Sequence, residues 1–283
     1  MIRRLLSTVL VICLMISLIA CNKPQDETII ESNELTDKTT VPHERLHVVF
    51  VNPGYPETFW LMTSEFMQSV AKDLEIDLEI IYSNRDHIAM VKHVKEVAER
   101  DVKPDYMIVV NEKPVAVEFF DIIEPAGIKT ILMSNDLNSE QYRIAGSPRE
   151  RYKNWLGVMV PDNEYAGVRI AESVIEKGLR MGHDETIEMI AIGGSRATPA
   201  SIDRLKGLDR VLSNNPIVDL KQVVYGEWIE KTAYEQTSGL LSRYPECKII
   251  WTANDPMAIG AIKASKDSGL KPGEDLYISG LSL

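Results

Sequence analysis

Positive charge is in deficit along this chain. Thirty-one Lys and Arg face 42 Asp and Glu, a net charge of −11. Loss of Arg3 and Arg4 with the N-terminal leader takes −11 to −13. Such a balance disfavours DNA, RNA and anionic membrane surfaces as direct partners. Histidine is scarce and scattered, at His43, His47, His87, His93 and His183. His87 and His93 share a helical stretch, but their separation does not suit one metal ion. Neither a G-x-S-x-G elbow nor a G-x-x-x-x-G-K-[ST] loop occurs. Gly193-Gly194-Ser195-Arg196 follows an apolar run and reads as a turn whose amides and Arg196 can meet a ligand oxygen. With no catalytic constellation assembled, the sequence points away from an enzyme and from any metal or cofactor.

The chain also lacks an apolar run of the roughly 20 residues a spanning helix needs. What it has is a leader. Met1-Ile2-Arg3-Arg4 is positive, Leu5 to Ile19 is uncharged, and small residues precede position 21. Leu18-Ile19-Ala20-Cys21 resembles the bacterial lipobox. That resemblance makes residues 1–20 a lipoprotein signal peptide and Cys21 the lipid-bearing mature N-terminus. Ordinary secretion and an uncut anchor are the other readings. With Cys13 removed and Cys21 acylated, Cys247 alone remains and no intrachain disulfide is possible. Cys247 reads as a small buried apolar residue. Residues 21–45, rich in charge and Thr, bury too little to offset their chain entropy and read as a flexible tether.

From Leu46 the pattern alternates. Short β-branched runs predict strands at 46–52, 77–82, 105–110 and 128–133, with helices at 58–74, 86–100 and 114–125 between them. Residues 136–156 break this rhythm as a surface excursion. A second series has strands at 157–161, 187–193, 217–225, 247–252 and 275–280 and helices at 164–178, 199–213, 228–242 and 256–268. This predicts an α/β fold of two doubly wound, Rossmann-like lobes with parallel sheets joined by a hinge, at 46–160 and 161–283. In the first β-α unit, Leu61, Phe66 and Val70 are the expected buried side of the helix. Glu57, Phe59 and Trp60 sit where open sheets bind ligands. Phe59 and Trp60 either face a ligand or staple the helix to the sheet.

Several stretches resemble the type I periplasmic sugar-binding proteins, which share their fold with LacI-type repressors. Asp162-Asn163-Glu164-Tyr165-Ala166-Gly167 resembles the D-N-x-x-x-G crossover, and Arg204-Leu205-Lys206-Gly207-Leu208 the R-x-x-G-F helix. Trp251-Thr252-Ala253-Asn254-Asp255-Pro256-Met257-Ala258-Ile259-Gly260-Ala261 is similar to A-x-N-D-x-M-A-x-G-A, the most specific of the three. The resemblance implies a cleft lined by Glu57, Phe59, Trp60, Ser134, Asn135, Asp162, Trp228, Asn254, Asp255 and Ser282. Asn254 and Asp255 can equally cap a helix. Ser134-Asn135 stands where relatives have Asp-Arg, Ile202 where they have an arginine, and Ser282 where they have an aspartate. Relatives continue past Leu283, so the C-terminal lobe is expected to be incomplete relative to the family and to leave apolar faces exposed.

The implied protein is a monomeric, non-catalytic lipoprotein of the cell envelope or periplasm that passes a sugar or sugar derivative to an ABC importer. The other implied role is a ligand-sensing co-receptor for a membrane histidine kinase or similar protein. A repressor would need an N-terminal helix-turn-helix, and an export signal stands there instead.

Overall fold

The computed structural model describes residues 45–55, 58–181 and 186–281. The leader, Cys21, most of the tether, Glu57 and Ser282 lie outside the described residues. Strands β1 (His47–Asn52), β2 (Asp77–Tyr82), β3 (Tyr106–Val109), β4 (Lys129–Met133) and β5 (Trp155–Met159) pair in parallel in the order β2-β1-β3-β4-β5. A second parallel sheet holds β6 (Ile187–Gly193), β7 (Val218–Tyr225), β8 (Ile249–Thr252) and β9 (Tyr277–Ile278) in the order β7-β6-β8-β9. The connecting helices are α1 (Thr58–Asp73), α2 (His87–Ala98), α3 (Ala116–Ala126), α4 (Ser139–Ala145), α5 (Asn163–Leu179), α6 (Pro199–Leu212), α7 (Glu230–Arg243) and α8 (Asp255–Asp267).

Successive strand residues point to opposite faces, and both faces of each sheet need apolar cover. In the first sheet Val49, Val51, Met107, Val109 and Leu132 turn toward Met90, Val94 and Val97 of α2 and Phe119, Phe120 and Ile123 of α3. Phe50 and Met133 turn the other way and meet Trp60 of α1. In the second sheet Met189, Ile190, Ala191, Ile192, Ile249, Ile250 and Trp251 form one core with α5 to α8, and Cys247 is buried in it as expected. Helix ends follow local chemistry. Asp86 caps α2 through Ile88 N at 2.8 Å, and Gly127, in the left-handed region at φ 73°, ends α3.

The second lobe relies on close helix packing. A Cβ at Gly167 of α5 would collide with the Arg204 carbonyl, and one at Gly207 of α6 with the Glu164 carbonyl. Two facing glycines therefore set how near α5 and α6 approach.

Four expectations change. Residues 136–156 contain α4, started by a reciprocal capping box in which Asn138 Oδ1 accepts from Gln141 N at 2.8 Å and Gln141 Oε1 from Asn138 N at 3.1 Å. The strand expected at 157–161 runs from Trp155 to Met159 and completes the first sheet rather than opening the second series. Trp155 decides this: it is buried and stacks on Phe120 of α3, ring centroids 4.6 Å apart. The strand expected at 275–280 is only Tyr277–Ile278. Finally, α1 faces the sheet with Trp60, Ser64, Met67 and Ala71, leaving Leu61, Val70 and above all Phe66 (71% exposed) outside. Its sequence is apolar on most sides, so periodicity alone does not single out the packed face.

Candidate functional site

In an open parallel sheet, the crevice forms outside the carboxyl ends of two neighbouring strands whose connections run to opposite sides. Here those strands are β1 and β3 in one sheet and β6 and β8 in the other. The loop after β3, Asn111-Glu112-Lys113, meets the loop after β6. Lys113 Nζ donates to Ser195 Oγ at 3.2 Å, and Thr198 Oγ1 donates to the Glu112 carbonyl at 3.2 Å. A third bond crosses the seam from the end of β4: the Ala200 amide donates to Asn135 Oδ1 at 3.4 Å. The two crevices therefore face each other and are closed against each other here.

Backbone strain gathers along the same edges. Among the described residues seven non-glycine positions have left-handed φ, and five of them follow strands: Asn84 and Arg85 after β2, Ser134 after β4, Glu227 and Trp228 after β7. Such conformations cost of order 1–3 kcal/mol each and cluster at ligand clamps and switches.

On the first-lobe side, Asn135 is buried and its Nδ2 donates to Glu112 Oε2 at 3.3 Å. Glu112 is 7% exposed. Burial pushes its carboxyl above the ordinary value of 4.5, against the opposite pull of Arg85 and Lys113. Arg85 Nη1 stands 3.7 Å from Glu112 Oε1. The Asn111 side chain holds this corner by donating to the Asp136 carbonyl and to Gln141 Oε1, both at 2.8 Å.

On the second-lobe side, Trp228 is half-buried and its indole lies over Gly194, where any Cβ would collide with the ring. The Arg204 guanidinium sits 5.4 Å from the same ring system. Arg204 is buried and ties three elements together. Its Nε donates to Asn163 Oδ1 at 3.0 Å and its Nη1 to the Ala253 carbonyl at 2.6 Å. Burial lowers its pKa to about 10, so it remains charged near neutrality. Arg196 is exposed and lies over the Tyr225 ring at 4.6 Å.

The expected site residues separate accordingly. Asn135 lies in the seam, with Ser134 beside it in left-handed geometry. Trp228 and Asn254 come together at the edge of the second sheet, where Asn254 Nδ2 donates to the Trp228 carbonyl at 3.4 Å. Asn254 also caps α8 through Met257 N at 3.0 Å, and Asp255 is the first residue of that helix, against Gly280. Asp162 is exposed and caps α5 through Tyr165 N at 2.9 Å. Trp60, 5% exposed, packs among Phe50, Val110 and Met133, the placement the staple reading expects. Phe59 is 41% exposed and meets Trp60 edge-on, ring centroids 4.9 Å apart. Sequence reading did not single out Arg85, Glu112 and Lys113, although each lies in the loop that follows an apolar strand. That position is the signal that would have found them.

Residues 48–282 match the family model described as the periplasmic binding protein domain. A solved periplasmic sugar-binding protein from Pseudomonas fluorescens superposes with a TM-score of 0.74 at 40% identity, covering 83% of this chain and 68% of that one. The HTH-type transcriptional regulator MalR of Clostridium butyricum is 29% identical over 132 residues, 46% of this chain and 36% of the regulator. The galactofuranose-binding protein YtfQ of Escherichia coli K12 is 24% identical over 125 residues, 43% of this chain and 38% of YtfQ. The alignments thus span little more than a third of each of these two curated relatives.

Proposed function

We propose, from the premise that this chain belongs to the periplasmic binding protein family, that it is a non-catalytic solute receptor which closes its two lobes on a sugar and hands it to an ABC importer. One observation carries the reading: the switch-point loops of the two sheets, Glu112-Lys113 and Ser195–Thr198, are hydrogen-bonded to each other. Carboxyl strand ends that face and touch form a clamp rather than two independent sites. Trp228 supplies a flat apolar wall for a sugar ring, and Asn135, Glu112, Ser195 and Arg85 supply rim donors and acceptors. On this reading Phe59, Ser134, Asn254 and Asp255 stand at the margins of the same opening, and Asp162 at the crossover between lobes. The similarity to a sugar-binding protein at 40% identity supports this ligand class.

The test is a thermal-shift screen of the intact protein with D-ribose, L-arabinose, D-galactose, D-allose and polyols. A ligand held only by the folded state at 100 times its dissociation constant adds about 2.7 kcal/mol. An upward shift with at least one sugar is the expected result, and no shift with any of them contradicts the reading.

Envelope residence through a lipid on Cys21 belongs to the same proposal. Fractionated cells should hold the protein in the membrane fraction, and the Cys21→Ala variant should leave that fraction. A variant that stays with the membrane contradicts the anchor.

A further inference from the structure

We propose that Glu112 is the residue by which this site selects its ligand, its carboxylate taking two neighbouring hydroxyls of the sugar while Asn135 couples that side chain to the second lobe. This rests on the sugar-binding reading above and adds to it a named acceptor and a required ligand feature, a vicinal diol.

Position comes first. Glu112 follows β3, one of the two strands flanking the switch point of the first sheet, and lies in the seam itself. Among the described residues the other acids along the cleft hold other partners or are exposed. Asp136 Oδ1 takes the Tyr142 hydroxyl at 2.8 Å and the Leu137 amide at 2.6 Å. Asp162 is an exposed cap, and Asp255 packs against Gly280. Glu227 is exposed. Glu112 alone among these is both buried and in the seam.

Among the described residues its acceptor capacity is not filled. A carboxylate offers about four lone-pair directions. Oε2 accepts from Asn135 at 3.3 Å, whereas Oε1 has Arg85 at 3.7 Å, too long for a hydrogen bond. A buried carboxylate with spare acceptors favours a ligand presenting two adjacent donors. A ligand lacking one of them leaves the site's own polar group unmatched, the arrangement that discriminates most strongly.

Coupling to closure follows from the connections. The Asn135 amide spans from Glu112 Oε2 on its own lobe to the Ala200 amide in the first turn of α6. The Glu112 carbonyl accepts from Thr198 Oγ1, two residues earlier at the N-cap of the same helix. Parting the lobes breaks both cross-seam bonds and opens the carboxylate to water. A ligand that fixes the carboxylate therefore biases the closed form.

The chemistry carries a pH signature. The charged groups facing Glu112 are Arg85 after β2, Lys113 on its own loop and Glu227 after β7. Burial and Glu227 favour the neutral acid, while Arg85, Lys113 and the Asn135 hydrogen bond favour the carboxylate. Sugar hydroxyls donate to the ionised form, so binding expels the proton. Affinity should rise as pH climbs from the ordinary carboxyl value of 4.5 through the raised range.

The experiment is titration calorimetry from about pH 5 to about pH 8. It uses whichever of D-ribose, L-arabinose, D-galactose and D-allose binds the intact protein most tightly, together with its deoxy analogues. Wild type should gain affinity with pH, and removal of either hydroxyl of one vicinal pair should weaken binding. Glu112→Gln should bind about tenfold to a hundredfold more weakly and lose the pH slope. Glu112→Asp, which keeps the acid, should keep a slope, a recovery that a purely structural role would not give. Affinity of Glu112→Gln within about threefold of wild type, or an unchanged slope, overturns this inference and leaves the sugar reading standing. Wild type binding none of the four sugars overturns both.

Discussion

Replacing Trp60 with alanine is expected to lower the unfolding free energy by about 3–5 kcal/mol, the range for deleting a buried tryptophan side chain. Trp60 is 5% exposed and sits with Phe50, Val110 and Met133 under the face of the first sheet that α1 covers. Its ring lies 6.4 Å from Phe50 and 4.9 Å from Phe59. The turn that leads into it is built around the same contact, because a Cβ at Gly54 would strike the indole. Asn52, at the end of β1, donates to the Trp60 carbonyl at 3.4 Å and to Ser64 Oγ at 3.0 Å, fixing the first turns of the helix to the strand. At roughly 2–4 °C per kcal/mol for a domain of this size, the melting midpoint should fall by about 6–20 °C. Thermal and urea unfolding monitored by circular dichroism measure this. A variant that melts with wild type but no longer binds sugar would make Trp60 a ligand wall and remove it from the core.

Trp228→Ala is expected to give the converse: sugar binding weakened at least about a hundredfold, on the order of 2.7 kcal/mol, with the fold retained. Trp228 is half-buried, at a strand end and held in left-handed geometry at φ 65°. Its ring is positioned by the bare backbone of Gly194 and by the Arg204 guanidinium 5.4 Å away. Arg204 is fixed in turn by Asn163 and the Ala253 carbonyl, so the wall is rigid before any ligand arrives. Preorganised aromatic anchors lose little freedom on binding and carry a large share of its energy. Calorimetric titration beside a melting curve separates the two effects. Unchanged affinity in a folded Trp228→Ala protein would take this residue out of the site.

Much of the fold was legible because local rules govern it. Short β-branched runs became strands, and Asn254 could be read as a helix cap because that bond spans only three residues. Asn138 and Gln141 carried an equally local signal, a capping box, that went unread, and α4 was missed with it. Failures that no local rule would repair concern faces and partners. The inner side of α1 is chosen by Phe50 and Met133, distant in sequence, and most sides of that helix carry apolar residues. The start of β5 is fixed by Trp155 stacking on Phe120.

The site divides in the same way. Trp228 and Asn135 were expected from strand-end position combined with resemblance; Trp228 stands half-buried at the edge of the second sheet and Asn135 is buried in the seam. Asp162, read as a cleft residue, is an exposed cap of α5. Arg85 and Glu112 were invisible as a pair, because strands β2 and β3 reach each other only through β1. Their meeting is a product of sheet order.

The central claim is that a sugar is clamped between the carboxyl ends of the two sheets. A crystal structure of the intact protein with its tightest-binding monosaccharide tests it most directly. The expected result is a sugar ring in van der Waals contact with Trp228 and within hydrogen-bond distance of Glu112, lying between the loops after β3 and β6. A sugar bound on the outer faces of the helices, or held by one lobe with the seam of Lys113, Ser195 and Thr198 undisturbed and empty, would contradict the account.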